Sequence, residues 1–328
     1  MMRIHTLIQT AVFSTAVLFS HAAFAQSYPS KPINLVVPYP AGGASDFAAR
    51  VMSKDLSNTF KQPVLVDNVS GVSGALGTAK VAAALPDGYN ILLSSPIELI
   101  LTPIAMSAVK YKSEDLRAVA ITGQAQIMLV VRKDLPVSNI EELAALAKKS
   151  VDKPLSYCTI GIGSPYHLMG ERFAAITGSK SLHLPYNGFA QCVTNLVGQI
   201  VDYAFLPIAG PFPGFVDNGN IKVISIAANS PSPRFPKVPL ASSSKGFEGF
   251  SYALWAGVHV GAKVPDDIVA VLNKAVNATM TNPEIRKAIE ATGSTIGEPM
   301  TPAQAQAFYV KETAMYREIA KSINLQQQ

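Results

Sequence analysis

The sequence is short of the residues that most chemistry requires. It holds two cysteines and five histidines in 328 residues, and two of the histidines, His5 and His21, fall in the first 25. No C-x-x-C or H-x-x-x-H occurs, and His167, His183 and His259 are far apart, so no metal-ligand set can be assembled. No Walker Lys-Ser/Thr pair follows any glycine loop. The G-x-S-x-G elbow of a serine hydrolase is missing too. Only 15% of residues are charged, and the basic ones are scattered rather than clustered, which argues against nucleic-acid binding. After the first 25 residues no apolar run is long enough to span a bilayer.

Those first 25 residues form a separate element. "MMRIHTLIQTAVFSTAVLFSHAAFA" has Arg3 in a short basic start, an apolar run from Leu7 to Phe19, and Ala23-Phe24-Ala25 as an A-x-A cleavage signature. This is the pattern of a secretory signal peptide, 1–25, with cleavage near Ala25/Gln26. Its removal takes one base from 27 and leaves 26 against 22 acidic residues, a formal charge of +4. Export also bears on Cys158 and Cys192: the pair is a disulfide candidate, with two buried free thiols as the alternative.

Composition that is 48% apolar supports a large core, in one large domain or two ordinary ones. Strand and helix patterns alternate. Apolar runs at 33–39, 63–68, 90–95, 127–132, 155–160, 181–186, 201–206 and 221–228 predict strands. Amphipathic spacing predicts helices at 45–60, 73–85, 139–150, 165–178 and 189–199, with three more at 266–281, 283–291 and 302–321. Two sets of βα units indicate a two-domain α/β protein with parallel sheets covered on both faces. The closing helices have no strands of their own, so they are expected to pack back onto the first domain, making the chain cross twice.

Four glycine-rich or small-residue loops lie between a predicted strand and a predicted helix: "PAGGASD" (40–46), "NVSGVSGALG" (68–77), "IGIGSPYH" (160–167) and "YNGFAQ" (186–191). None contains Lys or Arg. The first turn of a helix leaves its amides unpaired and its dipole positive, so such loops bind anions without a cationic side chain. Each loop alone is equally a helix cap; Asp46 reads as a stabiliser of its helix start and Ser164-Pro165 as an N-cap with proline at the first position. Gly71, Gly74 and Gly77 follow a G-x-x-G-x-x-G spacing, not the dinucleotide fingerprint, and no cofactor is expected. Ser164 with His167 lacks an orienting acid, and Asp46 with Glu98 reads as a cap plus a solvent-facing carboxylate, so no catalytic residue is assigned.

Taken in order, "YPSKPINLVVPYPAGGASDFAAR", "QPVLVDNVSGVSGALGTAKVAAALPDGYNILL", "IGIGSPYHLMGE", "LPYNGFAQCVTNLVGQIVDYAF" and "LWAGVHVGAKVPDDIVAVLNKAV" resemble the Bug family, the extracytoplasmic solute receptors of tripartite tricarboxylate transporters. The likeness spans the whole chain after the signal. It implies a periplasmic, non-enzymatic, monomeric binding protein of the two-lobed, type II Venus-flytrap kind, with two doubly wound mixed sheets and a two-crossing hinge. Lobe 1 would be 26–126 plus 250–328, and lobe 2 127–249. A small organic carboxylate would be held between the lobes by backbone amides, hydroxyls and waters, for delivery to transporter membrane subunits. The alternative is the same fold presenting ligand to a signalling partner, and more distantly an exported hydrolase.

Carried over residue by residue, the resemblance places Ala41, Gly43, Ser45 and Asp46 in the first binding loop and Ser73, Gly74 and Ala75 in the second. Ser94 and Ser95 close the third strand. Ser164 and His167 match a G-S-x-x-H-L motif, Tyr186, Asn187 and Gly188 a P-Y-x-G motif, and Asp202 the acidic residue after the Gly-Gln element. Phe205 and Trp255 are candidate pocket walls. The chain departs from the family pattern at "SSPIELILTP", with Pro96 and Glu98, and at Phe189 and Gln191. Glu98 is read there as solvent-facing, with a ligand ammonium as its other partner. Phe189 is read as an aromatic wall or a core anchor.

Overall fold

A computed structural model of the chain describes residues 28–228 and 230–322. The signal segment and its cleavage point lie outside the described residues, which include only 28–30 of the unit Met1–Ser30; Lys31–Gln328 forms the other unit. In chain order the second unit runs β1 (Ile33–Val37), α1 (Ala44–Phe60), β2 (Val64–Asn68), α2 (Ala75–Ala82), β3 (Asn90–Ser94), α3 (Thr102–Ala105), β4 (Leu116–Arg132), α4 (Ile140–Lys149), β5 (Leu155–Thr159), α5 (Pro165–Thr177), β6 (Ser181–Pro185), α6 (Phe189–Val197), β7 (Tyr203–Pro207), α7 (Phe212–Asp217), β8 (Ile221–Ala227), β9 (Ala253–Gly261), α8 (Asp266–Thr281), α9 (Pro283–Glu290), β10 (Ser294–Thr295) and α10 (Pro302–Ser322).

The strands join in the order β2-β1-β3-β9-β4-β7-β5-β6, with β8 and β10 also on β4. The βα units supply the parallel pairs: β1 with β2 and β3, and β5 with β6 and β7. The two returning strands are antiparallel, β9 between β3 and β4, and β4 against β7 and β8. Each half is therefore a mixed sheet, as the flytrap architecture requires. The halves share one strand, because β4 is 17 residues long. Its Leu116–Gln126 stretch pairs with β9, and its Ile127–Arg132 stretch pairs with β7 and β8.

The core follows from apolar continuity. Ile33, Leu35, Val36 and Val37 of β1 are fully buried, as are Leu129, Val130 and Val131 of β4. A strand buried on both faces has no polar alternation. In the second half Tyr157 stacks on Tyr203 with ring centroids 5.4 Å apart, Phe173 meets Tyr203 at a tilt at 5.5 Å, and Phe205 meets Phe250 at 5.7 Å. Cys158 on β5 and Cys192 on α6 form a disulfide, which decides between the two alternatives. It pins α6 to the sheet.

Two expectations change. Residues 116–126, where the pattern predicts no strand, form the first part of β4, and residues 97–105 coil into a π-type turn and α3. That turn buries Glu98 completely, so the carboxylate is not solvent-facing. Among the described residues no helix is long and apolar enough to cross a membrane, and no group of three metal-binding side chains gathers.

Candidate functional site

The carboxyl ends of β1, β3, β6 and β7 point into a common space, as ligand sites in open α/β sheets do. A cavity of about 140 Å³ lies there. That is roughly ten times the 10–15 Å³ needed to hold one water, which leaves room for a small organic molecule. One wall comes from the first half: Tyr39, Gly43, Ser45, Ser94, Ser95 and Trp255. The other comes from Ile160, Tyr166, Gly188, Phe189, Pro207 and Ala209. Thr122–Ala125 of β4 lie between them. Among the described residues no Lys, Arg, His, Asp or Glu lines the cavity.

The four loops differ in what they offer. Gly43 is the N-cap of α1 and Gly188 that of α6; neither has a side chain to cap the first-turn amides, and both glycines line the cavity. The amides of Ala44, Ser45, Phe189 and Ala190 therefore belong to first turns with no intrahelical acceptor. By contrast, α5 caps itself. Ser164 is fully buried, its Oγ accepts from His167 N at 3.3 Å and donates to Gly161 O at 2.7 Å. The 68–77 loop is turned toward the other half: Ser73 Oγ donates to Ile160 O at 3.3 Å.

Of the residues named from the sequence, Gly43, Ser45, Ser94, Ser95 and Gly188 line the cavity; Ala41, Ser73, Gly74, Ala75, Ser164, His167, Tyr186 and Asn187 do not. Gly74 packs on Glu98, where an added Cβ would lie 2.9 Å from Glu98 Cβ. His167 Nδ1 accepts from Gly163 N at 3.2 Å and its ring stacks on His183 at 4.3 Å, while burial holds its pKa below the usual histidine value. Tyr186 Oη accepts from Asn195 at 2.6 Å. The Ser94 hydroxyl is committed to Gly257 O at 2.9 Å and to His259 Nδ1 at 2.7 Å.

Three more of the named residues, Asp46, Asp202 and Phe205, lie outside the cavity lining and have partners of their own. Asp46 does not line the cavity: its Oδ2 accepts from Gly42 N at 2.9 Å and Arg50 Nε at 3.0 Å. Burial raises its pKa, and the Arg50 and Gly42 hydrogen bonds outweigh that and lower it. Asp202 precedes β7, at the end of the sheet away from the cavity, and binds Arg132 Nε at 2.9 Å and Ser156 N at 2.8 Å. Phe205 is a core residue, 1% exposed. Phe189 serves both roles: it lines the cavity and meets Tyr166 edge-on at 4.6 Å. Trp255 does likewise, packing edge-on against Phe308 at 5.6 Å. Most of the other lining residues are not named from the sequence, Tyr39 and Gln124 among them. Tyr39 has a faint signal, an aromatic set between two prolines just before the first glycine loop, and Gln124 is hidden in the unpredicted part of β4.

The ionisable carboxylate next to the cavity is Glu98. Oε1 accepts from Ser95 N at 2.5 Å, and Oε2 accepts from Tyr39 Oη at 2.7 Å and Ser95 Oγ at 2.8 Å. Burial raises its pKa to about 7 against the lowering effect of those hydrogen bonds. Tyr39 is raised well above its usual value, by burial first and then by the Glu98 charge.

Comparison with known proteins bears on the family and the fold. Residues 48–325 match the tripartite tricarboxylate transporter family receptor. The protein BugT of Bordetella pertussis (strain Tohama I) is 30% identical over 294 residues, 88% of each chain. The periplasmic binding protein BugD superposes with a TM-score of 0.85 at 28% identity, over 92% of this chain and 100% of that one. An R. palustris protein solved with adipate gives 0.85 at 25% identity, over 92% and 100%. The chain belongs to the receptor family of the tripartite tricarboxylate transporters.

Proposed function

We propose that the chain is an exported periplasmic receptor that captures a small carboxylate between two lobes and delivers it to transporter membrane subunits. The lobes are 26–126 with 250–328, and 127–249; the change of partners along β4 after Gln126 supports that division. The observation that carries the reading is the pair of glycine helix starts without side-chain caps, Gly43 and Gly188, on opposite walls of a cavity with no charged side chain among the described residues. A carboxylate held by both starts binds the closed arrangement better than the open one, and only that difference drives closure. Adipate in a related protein and the small size of this cavity support the ligand class. The receptor acts as a monomer, without a cofactor and without catalysis.

Titration calorimetry of the mature chain with adipate, glutarate, pentanoate and 5-aminopentanoate tests the reading. Saturable one-to-one binding of at least one of them is expected. Absence of binding across a wider carboxylate panel overturns it. Co-precipitation with transporter membrane subunits, rather than with sensor proteins, tests the partner.

A further inference from the structure

Glu98 is a buried carboxylate that the proposed capture of an anion does not use, and among the described residues no cation pairs with it. The groups around it are Tyr39 after β1, Ser95 after β3, the 72–74 turn, Tyr111, whose hydroxyl donates to Glu98 O at 2.5 Å, and Tyr166 of α5. Its carboxylate accepts from both the Tyr39 and the Ser95 hydroxyls. Tyr39 and Ser95 are also cavity residues. A hydroxyl whose proton is committed to a carboxylate can only accept from a further partner. Ser95 Oγ already accepts from Ile97 N at 3.3 Å, which leaves it one lone pair.

We propose that Glu98, acting through the hydroxyls of Tyr39 and Ser95, makes this receptor selective for carboxylates that carry a hydrogen-bond donor at their other end. This deepens the carboxylate reading and rests on it. The helix starts at Gly43 and Gly188 favour negative charge, whereas the Tyr39–Ser95–Glu98 corner favours a hydroxyl or, better, an ammonium. A ligand with an apolar end leaves the corner's acceptors unpaired, and one with a second carboxylate meets Glu98 as a like charge. Glu98 is a positioning residue.

The test uses four ligands with the same five-carbon chain: 5-aminopentanoate, 5-hydroxypentanoate, pentanoate and glutarate. The wild-type protein is expected to bind the amino and hydroxy members about 10- to 100-fold more tightly than pentanoate. In Glu98→Gln that ratio falls to within about threefold while pentanoate binding holds, and Tyr39→Phe serves as the second variant if Glu98→Gln fails to fold. Affinity for 5-aminopentanoate rises with pH between about 6 and 8, because loss of the Glu98 proton restores the acceptor. Tyr39, Tyr111 and Tyr166 stay neutral across that range, and pentanoate shows no such rise. Pentanoate or glutarate binding as tightly as the donors, or an unchanged preference in both variants, overturns this inference alone. No binding by any of the four while another carboxylate of the wider panel binds overturns this inference alone, and no binding across the whole panel overturns it together with the carboxylate reading.

Discussion

Replacing Gly188 with alanine tests whether ligand binding depends on closure of the two loops that meet at the cavity. Gly188 has φ 179°, extended backbone that alanine adopts without strain. A Cβ there would lie 2.8 Å from Pro40 Cδ and 2.9 Å from Pro40 Cγ. Ordinary carbon contacts are about 3.5–4.0 Å, so the overlap approaches 1 Å. A proline ring has no rotamer that swings it away, so the loops must part. Overpacking of this kind costs about 1–3 kcal/mol. The cost falls on the closed arrangement alone, since in an open one Gly188 and Pro40 separate. The dissociation constant is then expected to rise about 5- to 150-fold. Calorimetry against the tightest carboxylate of the panel measures it, with the melting temperature of the ligand-free protein unchanged. Gly214→Ala is the control, because its Cβ would meet nothing within 4 Å and Gly214 does not line the cavity. Unchanged affinity in Gly188→Ala, or equal loss in both variants, refutes the reasoning.

Ser164→Ala removes an N-cap and not a ligand contact; about 1 kcal/mol of stability is lost in urea unfolding, with ligand affinity within about twofold. The disulfide closes a separation of 34 residues, for which loop entropy gives about 3–4 kcal/mol, so Cys158→Ala with Cys192→Ala lowers the urea midpoint by that equivalent. Burial lowers the pKa of His259 to about 3, against about 6.5 when unfolded. Between those values the unfolded chain binds one more proton, so stability rises with pH there and is lost as pH falls; His259→Phe is expected to remove about one proton from that slope in acid-unfolding curves.

The helices 45–60 and 266–281 show their apolar spacing plainly, and the structure places them within one residue, at Ala44–Phe60 and Asp266–Thr281. Residues 116–126 hide their strand because the register shifts between Ala118 and Ala120 and again between Ile121 and Gly123. Each bulge resets which face a side chain takes, so no alternation with a period of two survives in the sequence. The burial of Glu98 is illegible for a related reason: nothing local says that the turn 97–101 will be covered by the 72–74 segment and by Tyr111.

The order of most strands and helices, and the presence of glycine loops without cations before helix starts, came from local chemistry: apolar runs, helix periodicity and glycine at helix starts. Which of the four loops face one cavity did not. Ser164 caps its own helix whereas Gly43 and Gly188 have no side chain with which to do so, yet their meeting depends on β4 carrying the chain from one half-sheet to the other. Convergence is a property of distances between segments far apart in the chain, and no single segment encodes it.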